Sequence, residues 1–187
     1  MKKLLEKSFE EHEKVLKSTY EDLDNIMLSG NMIIETLKNN NKIIIAGNGG
    51  SAGDSQHFSA ELVGRFLKDR RSLPCIALTT DTSALTAISN DYGYEKVFLR
   101  QIEGLSKPND LFIGISTSGN SESINLAAEY CKNNNIQSIG LLGRDGGYGA
   151  SIFDKNIIIQ SSITANIQEM HILVLHLWCM MIDESFN

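Results

Sequence analysis

The chain has 187 residues, 42% of them hydrophobic and 21% charged, and 23 acidic against 17 basic side chains give a formal net charge of −6. This composition predicts one domain with a packed core, and the absence of a basic block excludes a footprint for nucleic-acid phosphates. Three widely spaced cysteines argue against a disulfide framework and favour a cytoplasmic location, and no apolar stretch is long enough to cross a bilayer, so we expect no membrane partner.

The first 40 residues predict a helical segment. They contain no proline, and apolar or aromatic side chains recur every three to four positions, which is typical of an amphipathic helix. The sequence Ser29-Gly30-Asn31 predicts a break before a second helix that ends near Leu37. Since no strand precedes this segment, its stripe must be buried on the following domain or on another subunit. The stripe consists of Leu5, Phe9, His12, Leu16, Tyr20, Leu23 and Met27.

From residue 43 onward, five short apolar runs alternate with helical patterns, as in α/β folds. Because the runs are continuous rather than alternating, they predict strands that are buried on both faces of a parallel sheet. We expect a three-layer α/β sandwich of the flavodoxin-like type with a five-stranded parallel sheet, in which residues 41–187 form the domain and residues 1–40 an added helical segment. The predicted strands are 43–47, 75–79, 111–115, 138–142 and 155–159, and the predicted helices are 52–66, 82–105, 121–134 and 167–183.

Two glycine- and serine-rich segments directly follow predicted strands, at the edge where such sheets bind ligands. They are Gly47-Asn-Gly-Gly-Ser51 and Ser116-Thr-Ser-Gly-Asn-Ser121. Glycines allow a close approach of the backbone, N–H groups at a helix start attract anions, and the hydroxyls can complete a phosphate cradle without a lysine. Each loop alone could equally be a turn with a serine N-cap, and the first is neither a Walker A nor a full dinucleotide motif. Two such loops in equivalent positions favour phosphate binding.

Polar side chains on two predicted helices could act on such a ligand. His57 and Glu61 lie four residues apart on one helix face, where they could share a proton, hold a metal ion or simply face solvent. The last helix carries Gln168, His171 and His176 among apolar residues. His176 alone would be typical of a hydrogen-bonded core histidine. His171 and His176 point about 140° apart, so they cannot serve one site, and we interpret His171 as structural or surface-lying.

Together these motifs resemble the sugar isomerase (SIS) domain family, and within it the branch that isomerises sedoheptulose 7-phosphate. The resemblance spans nearly the whole chain, including the leading helix. The double loop is shared by many members of the family, whereas the two histidines with Glu61 and Gln168 are more specific to this branch. The motifs that carry the resemblance are 46–52, 57–61, 89–91, 114–121 and 167–171 with His176.

The resemblance implies an aldose-ketose isomerase that makes D-glycero-D-manno-heptose 7-phosphate through an enediol, as the first step towards the activated heptoses of lipopolysaccharide or capsule. It implies one zinc ion per subunit and a homotetramer with active sites between subunits. We assign Glu61 as the base and His176 as the acid. The implied zinc ligands are His57, Glu61, Gln168 and His176. The implied contacts to the phosphorylated seven-carbon sugar are Asn48, Gly49, Gly50, Glu61, Asn90, Asp91, Ser116, Thr117, Ser118, Ser121 and Gln168.

Two features leave the details of that site open. Many relatives carry an arginine where this chain has Asn166, so any role of that arginine is not carried over. Gln168 and His176 are eight residues apart, about 12 Å along a straight helix and about 80° apart in direction. If both serve one metal ion, either the helix bends or each site combines ligands from two neighbouring chains.

Three other functions fit parts of the pattern. A non-enzymatic SIS-domain tetramer that binds the replication initiator protein shares the loops, but known members of that group lack the histidine corresponding to His176. A sugar-phosphate sensor requires a separate DNA-binding domain, for which the length and charge leave no room. Isomerases of other phosphosugars share the segment 116–121, which we call the serine loop, and differ around the metal-binding residues. The presence of His176 favours the heptose-phosphate isomerase.

Overall fold

A five-stranded parallel β-sheet forms the centre of the computed structural model, which describes residues 1–187. The strands lie side by side in the order β2-β1-β3-β4-β5. In this doubly wound order the direction of winding reverses between β1 and β3, which makes that position the expected ligand site. The predicted flavodoxin-like α/β sandwich is therefore confirmed. The strands are β1 (Ile43–Gly47), β2 (Cys75–Ala77), β3 (Leu111–Ser116), β4 (Gln137–Gly143) and β5 (Lys155–Ile159).

Helices cover both faces of the sheet and create two hydrophobic cores. Helices α1, α2, α3 and α7 bury one face, whereas α5 and α6 bury the other. Along β1, Ile43 and Ile45 belong to the first core and Ile44 and Ala46 to the second, which explains why the strands are continuous apolar runs. None of the helices combines the length and the apolar character that a membrane span requires. The helices are α1 (Lys2–Glu21), α2 (Leu23–Lys38), α3 (Gly50–Val63), α4 (Thr82–Tyr92), α5 (Leu99–Leu105), α6 (Glu122–Asn133) and α7 (Thr164–Phe186).

The break in the leading helical segment lies elsewhere than the sequence predicted. The segment divides at Asp22, between α1 and α2, and the predicted break at Ser29-Gly30-Asn31 is wrong. Gly30 lies buried inside α2, where a Cβ atom would come within 2.6 Å of the Met181 sulfur of α7. The glycine therefore permits two helices to pack closely instead of ending one of them.

The helix predicted over residues 82–105 is divided in three. Gly93 has a φ of 90° and ends α4, a short 3₁₀ turn (Tyr94–Lys96) follows, and α5 then completes the segment. Glycine in this conformation is a common helix terminator. The remaining predicted helices and strands agree with the structure to within a few residues at each end.

Much of the apolar stripe on α1 is exposed in the single chain. Leu5, Phe9, Leu16 and Tyr20, which we call the α1 stripe, have exposed fractions of 56%, 78%, 42% and 71%. The buried residues of α1 are Val15 and Thr19, which lie on a different side of the helix. Helix α1 thus packs on its own domain through Val15, whereas the α1 stripe is largely unburied in the single chain, and its burial on another subunit stays a prediction.

His171 is a buried structural histidine, as predicted. Its Nε2 donates a hydrogen bond to the Leu142 carbonyl oxygen at 2.9 Å, and burial lowers its pKa to about 4 although that hydrogen bond acts in the opposite direction. In the unfolded chain a histidine protonates near pH 6.5. The native state thus binds fewer protons between pH 4 and 6.5, so this contribution to stability is fully present above pH 6.5 and decreases as the pH falls.

We expect this histidine to make the free energy of unfolding fall by about 3 kcal/mol between pH 7 and pH 4. Urea denaturation at a series of pH values measures the slope. The variant His171→Gln should be less stable at pH 7 and should show a shallower slope over the same range. An unchanged slope in the variant would assign the acid sensitivity to other groups.

Candidate active site

The two glycine- and serine-rich loops lie next to each other at the position where the winding of the sheet reverses. β1 and β3 are paired neighbours, with Gly47 opposite Ile115, so both loops leave the sheet at its carboxyl edge. The Asn48 side chain joins them, because its Nδ2 donates to the Ser123 hydroxyl of α6 at 3.0 Å. The loops can therefore contact one ligand together.

Neither loop uses a serine side chain to cap its helix. The residues before α3 and α6 are Gly49 and Ser121, and neither makes a side-chain cap hydrogen bond. The Ser121 hydroxyl is instead 2.9 Å from the Ser116 hydroxyl. By contrast, α4 begins at the same edge with the Asp81 carboxylate accepting from the Ala84 N–H. The starts of α3 and α6 therefore keep the positive ends of their helix dipoles available for an anion, as phosphate binding requires.

A third loop, between β4 and β5, supports the serine loop and was not predicted from the sequence. Gly119 has a φ of 66°, and a Cβ atom there would lie 1.8 Å from the Gly146 carbonyl oxygen. The Tyr148 N–H also donates to the Asn120 Oδ1 at 3.0 Å. The shape of the serine loop therefore depends on the connection between β4 and β5. The pair Gly146-Gly147 soon after an apolar run is the signal that could have indicated this loop.

Three of the predicted catalytic and metal-binding side chains converge between α3 and α7. The His57 Nε2 lies 2.9 Å from the His176 Nε2 and 3.3 Å from a Glu61 carboxylate oxygen. The His57 side chain is 44% exposed and that of Glu61 22%, so a ligand can reach the cluster. Burial and then the charge of His57 lower the pKa of His176, against the opposing effect of Glu61. A single chain therefore brings a carboxylate and two imidazoles together without help from a neighbour.

The other predicted site residues make no hydrogen bond to the three side chains of this cluster. The Gln168 amide rests against Gly50 at the start of α3, 2.6 Å from where a Cβ would stand, which places it beside the first loop. Gly50 and His57 are seven residues apart, about 10 Å along the helix. Asn90 and Asp91 are exposed at the end of α4 and hydrogen-bond each other.

Tyr94 contacts the first loop, and Asn166 is buried in the first turn of α7. The Tyr94 hydroxyl donates to the Asn48 Oδ1 at 2.6 Å, which links the segment after α4 to the first loop. Asn166 is buried, and its Nδ2 has no hydrogen-bond partner. A large charged side chain would not fit this buried position without rearrangement.

The cluster carries nitrogen and oxygen atoms that suit a metal ion, but the spacing of its nitrogens differs from that around a bound zinc ion. Imidazole nitrogens and a carboxylate oxygen are common zinc ligands. Two nitrogens on one tetrahedral zinc ion are about 3.3 Å apart, whereas the two imidazole nitrogens here are 2.9 Å apart. No three His, Cys, Asp or Glu side chains form a ready-made metal site in this chain. A zinc ion therefore requires the histidine side chains to separate slightly.

A surface concavity of about 830 Å³ lies elsewhere, beside β5. None of the predicted site residues lines it, and it holds no cluster of titratable groups comparable to that between α3 and α7. The side chains between α3 and α7 are therefore the better candidate for catalysis, although the concavity beside β5 is large. The concavity is lined by Arg144, Asp145, Ile158, Gln160, Ser161 and Ser162.

Comparisons with known proteins give matches along most of this chain. The SIS domain model matches residues 9–143. The phosphoheptose isomerase of Nitratiruptor sp. is 54% identical over 183 residues, which are 97% of this chain and 98% of that protein. The structure of the phosphoheptose isomerase from Neisseria gonorrhoeae superposes with a TM-score of 0.92 at 38% identity over 98% of each chain. The structure of a phosphoheptose isomerase from Francisella tularensis gives a TM-score of 0.94 at 32% identity over 97% of each chain.

Proposed function

Because this chain belongs to the SIS domain family and, within it, to the phosphoheptose isomerases, we propose that it converts sedoheptulose 7-phosphate into D-glycero-D-manno-heptose 7-phosphate. The observation that carries the proposal is the cluster of Glu61, His57 and His176, which adds acid-base chemistry to a fold with two anion-binding helix starts. The product would enter the synthesis of activated heptoses. The three relatives described above are isomerases, which favours this function over a non-enzymatic partner of the replication initiator.

The reaction needs a base, an acid and stabilisation of negative charge on oxygen. We assign Glu61 as the base that removes a proton from C1 of the ketose and delivers one to C2. His176 donates a proton to O2 as the enediol forms, and the proton lost from O1 balances it when the aldehyde is made. The serine loop would hold the 7-phosphate, at the far end of the sugar, so that its binding energy orients C1 and C2 towards the acid and base.

We propose that one zinc ion per subunit binds at this cluster. His57, Glu61 and His176 would hold it, with the Gln168 amide, which rests against Gly50, as the fourth ligand. Glu61 and His176 would each have to leave the ion in order to exchange a proton with the sugar. When bound, such an ion would polarise the carbonyl and hydroxyl oxygens of the sugar. Elemental analysis of protein purified without chelator should find about one zinc per chain. Protein that contains no metal and does not bind added zinc would contradict this proposal.

The activity is tested by incubating the purified chain with sedoheptulose 7-phosphate, with and without added zinc, and detecting the aldose heptose 7-phosphate. We expect the product in at least one of these conditions. Fructose 6-phosphate serves as a matched control substrate, because it has the same reacting carbons and one carbon fewer. Failure to convert the heptulose under all metal conditions would overturn the proposed function.

Removing two hydroxyls from the serine loop should weaken substrate binding. Each hydrogen bond to phosphate is worth about 1 to 1.5 kcal/mol, so Ser118→Ala and Ser121→Ala should each raise the dissociation constant about tenfold. Calorimetric titration of a catalytically inactive variant with sedoheptulose 7-phosphate measures this. Ser83→Ala is the control, because Ser83 lies in the first turn of α4, whose start the Asp81 side chain already caps. Unchanged affinity in the double variant would show that phosphate binds elsewhere.

We also propose a homotetramer in the cytoplasm. The exposed α1 stripe supports the assembly, since a row of large apolar side chains on a helix is stabilised by burial between copies. Three free, buried cysteines support a reducing compartment. Light scattering should give four chains for the wild type and fewer for Phe9→Glu. Lys7→Glu, which changes charge on the far side of the helix, should remain tetrameric. A wild-type monomer would contradict the assembly.

A further inference from the structure

The segment that joins α3 to β2 is tied to α7 by a buried carboxylate. We call residues 64–73 the clamp segment. Asp183 of α7 accepts hydrogen bonds from the N–H groups of Leu67 and Lys68, at 2.8 and 2.9 Å, and from the Arg70 Nε at 2.9 Å. Both ion-pair side chains are almost fully buried, with exposed fractions of 0% for Arg70 and 2% for Asp183. Three donors on one buried carboxylate fix the position of the clamp segment.

The same guanidinium holds the end of the helix that carries the proposed base. Arg70 donates from Nη2 to the Glu61 carbonyl oxygen at 2.7 Å and from Nη1 to the Leu62 carbonyl oxygen at 2.9 Å. The last carbonyls of a helix lack partners within the helix and carry partial negative charge, which a cation satisfies. The ion pair therefore connects the last turn of α3 to α7 through one side chain.

Phe66 extends from this fixed segment onto the His176 ring. The two ring centroids are 5.4 Å apart and the planes differ by 21°, which is a stacked arrangement. His57 meets the same imidazole at its edge, with centroids 5.0 Å apart and planes at 63°. His176 and Asp183 are seven residues apart, about two helical turns, so they lie on the same side of α7. Asp183, which holds the clamp segment, and His176, which Phe66 contacts, therefore lie on one face of α7.

We propose that Phe66 is a positioning residue that sets the plane of the His176 imidazole and directs its Nε2 towards His57 and Glu61. This inference rests on the proposed role of His176 as the acid. A histidine side chain on a helix can rotate about two bonds, and its ring torsion is broad. A flat aromatic face held from outside the helix restricts that rotation. Because misplacing a reacting group by about 1 Å can cost a factor of roughly 100 in rate, the restriction matters for turnover.

The test compares Phe66→Leu with Phe66→Tyr and Leu67→Ala. Leucine retains an apolar contact without a flat face, tyrosine restores the face, and Leu67 is a largely exposed neighbour in the same segment. We expect Phe66→Leu to lower kcat about tenfold with KM changed less than about twofold. Phe66→Tyr and Leu67→Ala should retain wild-type kcat. A wild-type kcat in Phe66→Leu, or a low kcat in Phe66→Tyr as well, would overturn the proposal.

An independent measurement does not need activity. The chain has four histidines, so the ring signals of ¹³C-labelled histidine can be assigned with His176→Gln. Loss of the stacked phenyl ring should shift the His176 signals in Phe66→Leu and leave them nearly unchanged in Phe66→Tyr and Leu67→Ala. The absence of a shift in Phe66→Leu would show that the rings do not stack in solution. If the wild type shows this stacking but no isomerase activity, the proposed function fails and the contact between the rings stands.

Discussion

Glu61→Gln is expected to lower kcat by a factor of roughly 100 to 10,000, the usual contribution of a general base. The amide has nearly the same shape as the carboxylate but cannot accept the proton from C1. The fold should be retained, because Arg70 contacts the backbone carbonyl of residue 61 and not its side chain. The measurement is kcat at saturating sedoheptulose 7-phosphate, with circular dichroism as the check on folding.

Glu103→Gln is the matched control for this experiment. Glu103 pairs with Arg100 at 2.9 Å on an exposed surface of α5, which covers the opposite face of the sheet from α3. The kcat of Glu103→Gln should therefore match that of the wild type. His176→Gln should show a loss comparable to that of Glu61→Gln, since the acid and the base act in one reaction. A kcat within a factor of about two of the wild type in Glu61→Gln would remove the proposed base.

Asp183→Ala is expected to destabilise the protein by about 3 to 5 kcal/mol, because it leaves the buried Arg70 guanidinium without its partner. The N–H groups of Leu67 and Lys68 also lose their acceptor. Although burial opposes ionisation of Asp183, these N–H groups and the guanidinium lower its pKa overall, so the carboxylate is charged at neutral pH. For a chain of this size the loss corresponds to a decrease in Tm of roughly 6 to 20 °C.

The neighbouring residue provides the control for the stability measurement. Glu184 pairs with Lys68 at 2.6 Å, but its side chain is 72% exposed. An exposed ion pair of this kind contributes at most about 1 kcal/mol, so Glu184→Ala should change Tm only slightly. Thermal unfolding of the two variants under identical conditions separates the buried pair from the exposed one. Equal Tm values would show that the buried pair contributes no more than a surface one.

The sheet could be predicted from the sequence because its signals are local. A parallel strand covered on both faces is a continuous apolar run, and each of the five runs is a strand in the structure. The break predicted at Gly30 was wrong because glycine has two uses that look identical in sequence. It can end a helix, as Gly93 does, or permit close packing against a second helix, as Gly30 does against Met181. Only the position of α7 distinguishes them.

The candidate site could be predicted only in part, for the same physical reason. His57 and Glu61 share a helix face, so their proximity follows from the helical repeat. The approach of His176 to His57 depends on how α3 and α7 pack, which the sequence does not show. For Gln168 and His176 on one metal ion, helix geometry alone left a bent helix and a second chain as alternatives. In the single chain, Gln168 and His176 meet α3 at different levels, so neither alternative is needed for the cluster. Nothing local in the sequence marked Phe66 as a neighbour of His176.

The packing of α2 against α7 determines how late in translation this part of the protein can fold. The Trp178 Nε1 donates to the Ile26 carbonyl oxygen, and these partners are 152 residues apart in the chain. At about 5 to 20 residues per second, a ribosome needs about 8 to 30 s to make the residues between them. During that interval the side of α2 that packs against α7 lacks this partner. Nascent chains of this protein therefore present an unburied helix surface to chaperones until the last helix emerges.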